Sequence, residues 1–302
     1  MRLFAAYSDP NHGRWFADAV PVGTVLAVLG VIWYVAAVPL NLGSIITQGK
    51  IDAAGGGWWN TLAVCWNLDR PVLPAPHQVL LGFWTSVFTL DPTTPRSLVY
   101  HAWVTLSSTL LGFVIGALLG IALAVAILHV LSLRKSLLPW IVVSQTIPIL
   151  ALAPMIVTVL GNLGWPPLIA KSIISTYLCF FPVAVGMVKG LASPDVMQID
   201  LMRTYNASAG QTLRLLRFPA SLPFLFASLK VAVSIALVGA IVGELPTGAQ
   251  AGIGARLLTG SYYGQIVQIW AALLAAALLA GALVWLVGAA ERATNWAMGG
   301  LR

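Results

Sequence analysis

His12, His77, His101 and His129 are the chain's imidazoles, and no glutamate stands near any of them at zinc-ligand spacing. The Gly49-Lys50 pair is followed by Ile51, and Ser44 occupies the position where a phosphate-binding loop needs its first glycine. No Gly-x-Ser-x-Gly elbow occurs. Cys65 and Cys179 lie far apart, which suggests neither a disulfide framework nor a metal site. These residue types therefore assemble no catalytic constellation. What remains is a set of polar residues inside apolar stretches: Gln145, Thr146, Lys171, Ser172, Ser175, Tyr177, Ser234 and Glu244. Such groups are costly in hydrocarbon and tend to face a cavity or a partner helix. Lys171 is the sharpest of them. Its ammonium would favour a small anionic solute, or else it snorkels to the interface, five residues after Pro166. Glu244 either faces the same path or simply caps its helix or pairs with Arg256.

The elements that must position these groups follow from composition. Of 302 residues, 59% are hydrophobic and 8% charged, against about a quarter charged in soluble domains. Apolar runs of roughly 20 residues match a bilayer core of about 30 Å. The reading is an all-α, polytopic membrane protein with about six spans. They run from about Ala19 to Leu40, Val104 to Leu131, Leu137 to Leu160, Pro167 to Val188, Phe224 to Gly243 and Ile266 to Ala289. Pro148 and Pro154 are expected to kink the third span, by opening a cavity or by packing alone. Gly112, Gly116 and Gly120, four apart, are expected to let two helices approach closely.

Lys and Arg are unequally shared between the two sides. Arg134, Lys135, Lys189, Arg203, Arg214, Arg217 and Arg292 fall on one side with both termini, while the other holds Lys50, Arg70, Arg96 and Arg256. This bias places residues 1–18, 193–223 and 293–302 in the cytoplasm and residues 41–102 outside. The scattered positive charge is not a nucleic-acid footprint. The outer stretch contains a flexible Gly55-Gly56-Gly57 turn and Trp58, Trp59 and Trp66, which suit a water–lipid boundary. His77 to Leu90 has the helical spacing of a short helix lying on the membrane surface.

One polar, arginine-bearing segment lies between the fourth and fifth spans. Ser193-Pro194-Asp195 is a helix-start signal: Ser193 can cap, proline suits the first turn, and Asp195 favours the positive end of the dipole. Asn206 can take the left-handed conformation that ends that helix. Ser208 can cap a second short helix running through Arg217, which Pro219 and Pro223 stop. The expectation is a helix–turn–helix along the membrane surface, with Leu201, Tyr205, Leu213 and Leu216 available to a partner groove. An ordinary surface loop is the plainer alternative.

This segment resembles the coupling motif of bacterial binding-protein-dependent ABC importer permeases. That motif reads Glu-Ala-Ala, three residues, Gly, nine residues, Ile-x-Leu-Pro. Asp200, Leu201 and Met202 stand for Glu-Ala-Ala, Asn206 for the glycine, Leu216 for isoleucine, and Phe218-Pro219 for Leu-Pro. Arg203, Tyr205, Ala207 and Leu213 lie between these positions. The spacing matches throughout, whereas only Pro219 is literally identical. Leu73-Pro-Ala-Pro76 resembles the Pro-Ser-Pro entry before the family's second span, and Leu111-Gly112-Phe113 its glycine-rich start. The run from Gln145 to Pro154 followed by Asn162-Leu163-Gly164, and Gly243-Glu244 with Gly252-Ile253-Gly254, resemble the nitrate, sulfonate and taurine branch. The similarity covers about Val72 to Arg292, and Gly43 to Asp69 looks like an insertion relative to short members.

The resemblance implies a type I ABC importer permease fold over residues 103–292 and a transport subunit without an ATPase site of its own. It implies a second permease subunit, usually an identical chain, two cytoplasmic ATP-binding subunits that hold ATP and Mg, and a periplasmic solute-binding protein. The coupling helices would act as levers between the ATPase and the pore, in a bacterial inner membrane. The branch implies a small nitrogen- or sulfur-containing solute: a sulfonate such as taurine, nitrate, or a pyrimidine-like compound. Two other classes compete. A stand-alone secondary transporter or channel predicts paired inverted repeats and broken midplane helices. A membrane-embedded enzyme predicts convergent His, Asp or Glu on facing helices.

Overall fold

A computed structural model of the protein describes residues 10–47, 57–246 and 251–299. The sequence-based assignments to residues 1–9, to Gly55-Gly56 and to the last three residues of the tail lie outside this set. Among the described residues every regular element is helical and no strand occurs. The chain divides into two compact units.

The first unit holds residues up to Trp84 together with 263–271. Helix α1 (Pro10–Thr47) runs two turns past the expected end at Leu40, because the next residues neither break the helix nor remain unanchored. Asn41, fully buried, donates through Nδ2 to the carbonyls of Cys65 and Leu73 at 3.0 and 2.9 Å. Its Oδ1 accepts the amides of Val72 and Leu73 at 2.8 and 3.1 Å. The stretch expected as a loop of boundary tryptophans contains a helix, α2 (Trp58–Trp66). Its Cys65 packs with Leu68 against Ile45 of α1, and burial pushes the Cys65 thiol pKa up. Trp33 and Trp66 donate their indole N–H groups to the carbonyls of Pro74 and Tyr34 at 2.9 and 3.1 Å. The short helix expected from His77 is α3 (Pro76–Trp84), continued by a π-helical stretch, Thr85–Thr89.

The second unit holds 85–262 and the residues from 272 onward. Its elements are α4 (Leu98–His129), α5 (Leu131–Ser144), α6 (Ile149–Asn162), α7 (Pro167–Leu191), α8 (Val196–Thr204), α9 (Ala209–Thr212), α10 (Phe218–Gly243), α11 (Ile253–Tyr262) and the part of α12 (Ile266–Ala297) from residue 272 onward. The third expected span is broken: α5 and α6 meet at 90°, with Gln145 to Pro148 forming the corner. Five described helices are long and apolar enough to cross a membrane, or up to six if the bent pair is one span.

The core is the bundle of α4, α7 and α10. A Cβ added at Gly112 would lie 2.4 Å from Ser175 Cβ, at Gly116 2.2 Å from Cys179 Sγ, and at Gly120 2.8 Å from the Phe180 carbonyl oxygen. The glycine row therefore brings α4 into backbone contact with α7, as its spacing led us to expect. Ser172 and Thr176 cross this seam, donating to the carbonyls of Ser108 and Gly112 at 3.2 and 3.1 Å. Below it Cys179, Val183, Met187, Leu225, Ala232 and Ala236 fill one continuous apolar core. Lys230 of α10 pairs with Glu291 of α12 at 2.5 Å, which satisfies a charge placed within an apolar helix.

Candidate functional site

Two polar regions occupy opposite ends of α7 and α10. At one end, between Leu191 and Phe218, the chain forms two short helices with defined caps. Asp195, rather than Ser193, caps α8. Its carboxylate accepts the Val196 amide at 2.7 Å, and the Gln198 side chain accepts the Asp195 amide at 3.1 Å. Ser193 instead donates to the Gly190 carbonyl and closes α7. Asn206 takes φ 50°, the one positive φ outside glycine among the described residues. The Asn206 and Ala207 amides then return to the carbonyls of Arg203 and Met202 at 2.8 and 3.0 Å, a left-handed helix stop of the Schellman type. Ser208 and Gln211 exchange reciprocal bonds that start α9.

The second helix does not stop at the prolines. Helix α9 passes through a π-helical stretch, Leu213–Arg217, directly into α10, giving one apolar helical run over Ala209–Gly243. Pro219 sits in the first turn of α10, where its missing N–H is least felt, and Pro223 lies inside that helix. Arg217 donates to the Leu191 carbonyl at 2.9 Å and so ties the start of α10 to the end of α7.

The side chains offered by this segment differ in part from the expected set. Leu201 and Tyr205 are 55% and 76% exposed. Leu213 packs against the bundle core, and Leu216 and Ala207 are half-buried, so Leu213 is not free for a partner. Val196 and Met197, which the sequence reading passed over, are exposed instead. Met197, Leu201 and Tyr205 recur every four residues, so a helical wheel would have placed them on one face. Asp200 and Arg203 form an exposed ion pair at 2.9 Å, which adds little to stability.

At the other end lies a buried polar cluster. The Glu244 carboxylate, fully buried, accepts the Gly254 amide at 2.9 Å and lies 3.3 Å from Lys171 Nζ. Thr105 Oγ1 lies 2.9 and 3.0 Å from its two oxygens and accepts the Ile253 amide at 2.8 Å. Lys171 Nζ also donates to the Ala251 carbonyl at 2.8 Å. His101 Nδ1 accepts the Gly252 amide at 3.0 Å, which leaves Nε2 to carry the proton it gives to the Pro95 carbonyl at 2.9 Å. Gly252 has φ 124°, and a Cβ there would fall 2.0 Å from the Glu244 carboxyl carbon. Glu244 is thus paired with Lys171 rather than Arg256, and Lys171, 5% exposed, is buried rather than snorkelling.

A cavity of about 620 Å³ opens beside this cluster, lined by Tyr100, Thr158, Asn162, Trp165, Lys171 and Ala251 among others. The remaining sequence candidates are elsewhere. Ser175 is fully buried in the tight seam of α4, α7 and α10, its hydroxyl without a hydrogen bond among the described residues. Gln145, Thr146 and Tyr177 gather at the α5–α6 corner. There the Tyr177 hydroxyl donates to the Ser144 carbonyl, Gln145 Nε2 lies 3.5 Å from the Tyr177 carbonyl, and Thr146 donates to the Val143 carbonyl. Ser234 donates to the Lys230 carbonyl one turn back.

Residues 112–294 match the family described as binding-protein-dependent transport system inner membrane component. A probable ABC transporter permease protein of Haemophilus influenzae is 31% identical over 72% of this chain and 83% of its own length. A formylaminopyrimidine transport permease protein of Halalkalibacterium halodurans is 31% identical over 64% of this chain and 75% of its own. The taurine transport system permease protein of Escherichia coli is 26% identical over 68% of this chain and 73% of its own.

Proposed function

This chain belongs to the binding-protein-dependent transport system inner membrane component family, as an ABC importer permease of the sulfonate and taurine branch, and we propose from that premise how it works. It forms the solute pathway of an ATP-driven importer and holds no ATPase site of its own. Two partner subunits bind ATP and Mg on the cytoplasmic side, a second permease subunit, an identical chain, completes the pore, and a periplasmic binding protein delivers the solute. Both termini and the segment around Asp200 to Pro219 face the cytoplasm. The solute is a small nitrogen- or sulfur-containing compound.

The observation that carries this reading is the capped hairpin at 195–217. Its Asp200 and Arg203 are solvated, its helix stop is fixed by Asn206, and its exposed face presents Met197, Leu201 and Tyr205. An amphipathic helix of this kind suits docking into a groove of a soluble partner. Its second helix runs unbroken into α10, so force applied to the hairpin is delivered to the bundle.

The test is co-expression with a candidate ATP-binding subunit. Met197→Asp with Tyr205→Asp is expected to abolish co-purification while the permease keeps its thermal stability, since both side chains are exposed. Solute uptake into vesicles should require the ATPase and ATP. Full-rate uptake by the permease alone would overturn the proposal.

A further inference from the structure

On the premise that this chain passes a solute, we propose that the cavity bounded by α4, α6, α7 and α10 is itself a solute site and that it selects a compact, uncharged, planar solute bearing ring or amide nitrogen. A sulfonate or nitrate anion is disfavoured there. At about 620 Å³ the cavity falls within the range of small-molecule sites. Trp165 and Tyr100 bring aromatic surface to it, and Trp165 is half exposed. Four polar groups lining it make no hydrogen bond to the described protein: the Tyr100 and Thr158 hydroxyls, the Asn162 amide and the Trp165 indole N–H. A primary amide offers donor and acceptor in one plane, which complements a ring amide or amidine edge. Aromatic faces add stacking for a flat ring.

Charge decides against the anion. Among the described residues, Lys171 is the one cation lining the cavity. Its ammonium faces the buried Glu244 carboxylate at 3.3 Å and donates to the Ala251 carbonyl at 2.8 Å. The pair is neutral overall, and at most one of the three ammonium N–H groups is left to offer. An anion entering here would lose hydration without meeting an uncompensated positive charge, and it would come close to a carboxylate. A neutral heterocycle loses much less hydration and finds donors, acceptors and ring faces already placed.

The experiment uses thiol protection in the intact importer complex. Cys65 and Cys179 are buried, so Thr158→Cys supplies the accessible thiol. Gly161→Cys serves as a parallel probe, because an added Cβ at Gly161 meets nothing within 4 Å. Maleimide labelling is timed with cytosine, nicotinamide, ethanesulfonate or nitrate present. Cytosine or nicotinamide should slow labelling at both positions, ethanesulfonate and nitrate should not, and Asn162→Leu should weaken the protection about tenfold. Protection by the anions equal to or greater than that by the neutral rings overturns the inference, as does protection by none of the four. ATP-dependent coupling read in the same preparations reports separately on the permease assignment, so either reading can fail while the other stands.

Discussion

The hairpin at 195–217 and the cluster around Glu244 lie at opposite ends of the same two helices, and they treat polarity in opposite ways. In the hairpin, charge is solvated and apolar side chains are displayed: Asp200 and Arg203 stand in water while Met197, Leu201 and Tyr205 face outward. In the cluster, charge is buried and satisfied from several directions, with Lys171, Glu244 and Thr105 drawn from three helices to hold the turn 251–254. The first arrangement leaves apolar surface on display. The second fixes backbone permanently. The contrast teaches that a polar residue in this chain is not a functional signal until its partners are known.

The contrast can be broken most forcefully at the cluster. Lys171→Met leaves the Glu244 carboxylate buried without its counter-ion and should cost about 3–5 kcal/mol, read as loss of yield or a large fall in Tm in detergent. Adding Glu244→Gln to that variant should recover more than half of the loss, because the amide oxygen still accepts from Thr105 and Gly254. A double variant no better than the single one would mean the charge pair is not what holds the turn. Next, Gly116→Leu forces a side chain into the Cys179 contact and should destabilise the bundle by about 1–3 kcal/mol, read by the same melting experiment. At the hairpin the effects on stability shrink. Asn206→Val should cost about 1–2 kcal/mol for the left-handed backbone, whereas Asn206→Gly should be tolerated, and both are read by proteolysis of the 195–217 segment. Ser175→Ala, which removes a buried hydroxyl without a partner, should leave Tm unchanged or raise it slightly.

What the sequence disclosed was local or summed. Asn206 was legible because a left-handed stop is a property of one residue and its neighbours. The apolar spans and the glycine row were legible because composition and four-residue spacing survive without knowledge of the partner. The 90° corner at Gln145 to Pro148 was not, since hydropathy adds along the chain and has no direction. Lys171 and Glu244 stand 73 residues apart, so nothing in either neighbourhood names the other, and Arg256 was the nearer but wrong partner. Pro219 and Pro223 read as stops because the rule against proline applies to helix interiors. Pro219 lies in a first turn, and the π-helical stretch before it keeps the helix going. Leu213 looked available because its burial depends on the core it meets.

The glycine row has a mechanical consequence. With Gly112, Gly116 and Gly120 set against the backbone of α7, and Gly239 of α10 set against Ser175 of the same helix, neither neighbour can slide along α7 or rotate against it without collision. Close-packed interiors resist small internal adjustment. The three helices α4, α7 and α10 are therefore locked as one rigid body, and the breaks in helical structure lie at its margins, such as the α5–α6 corner.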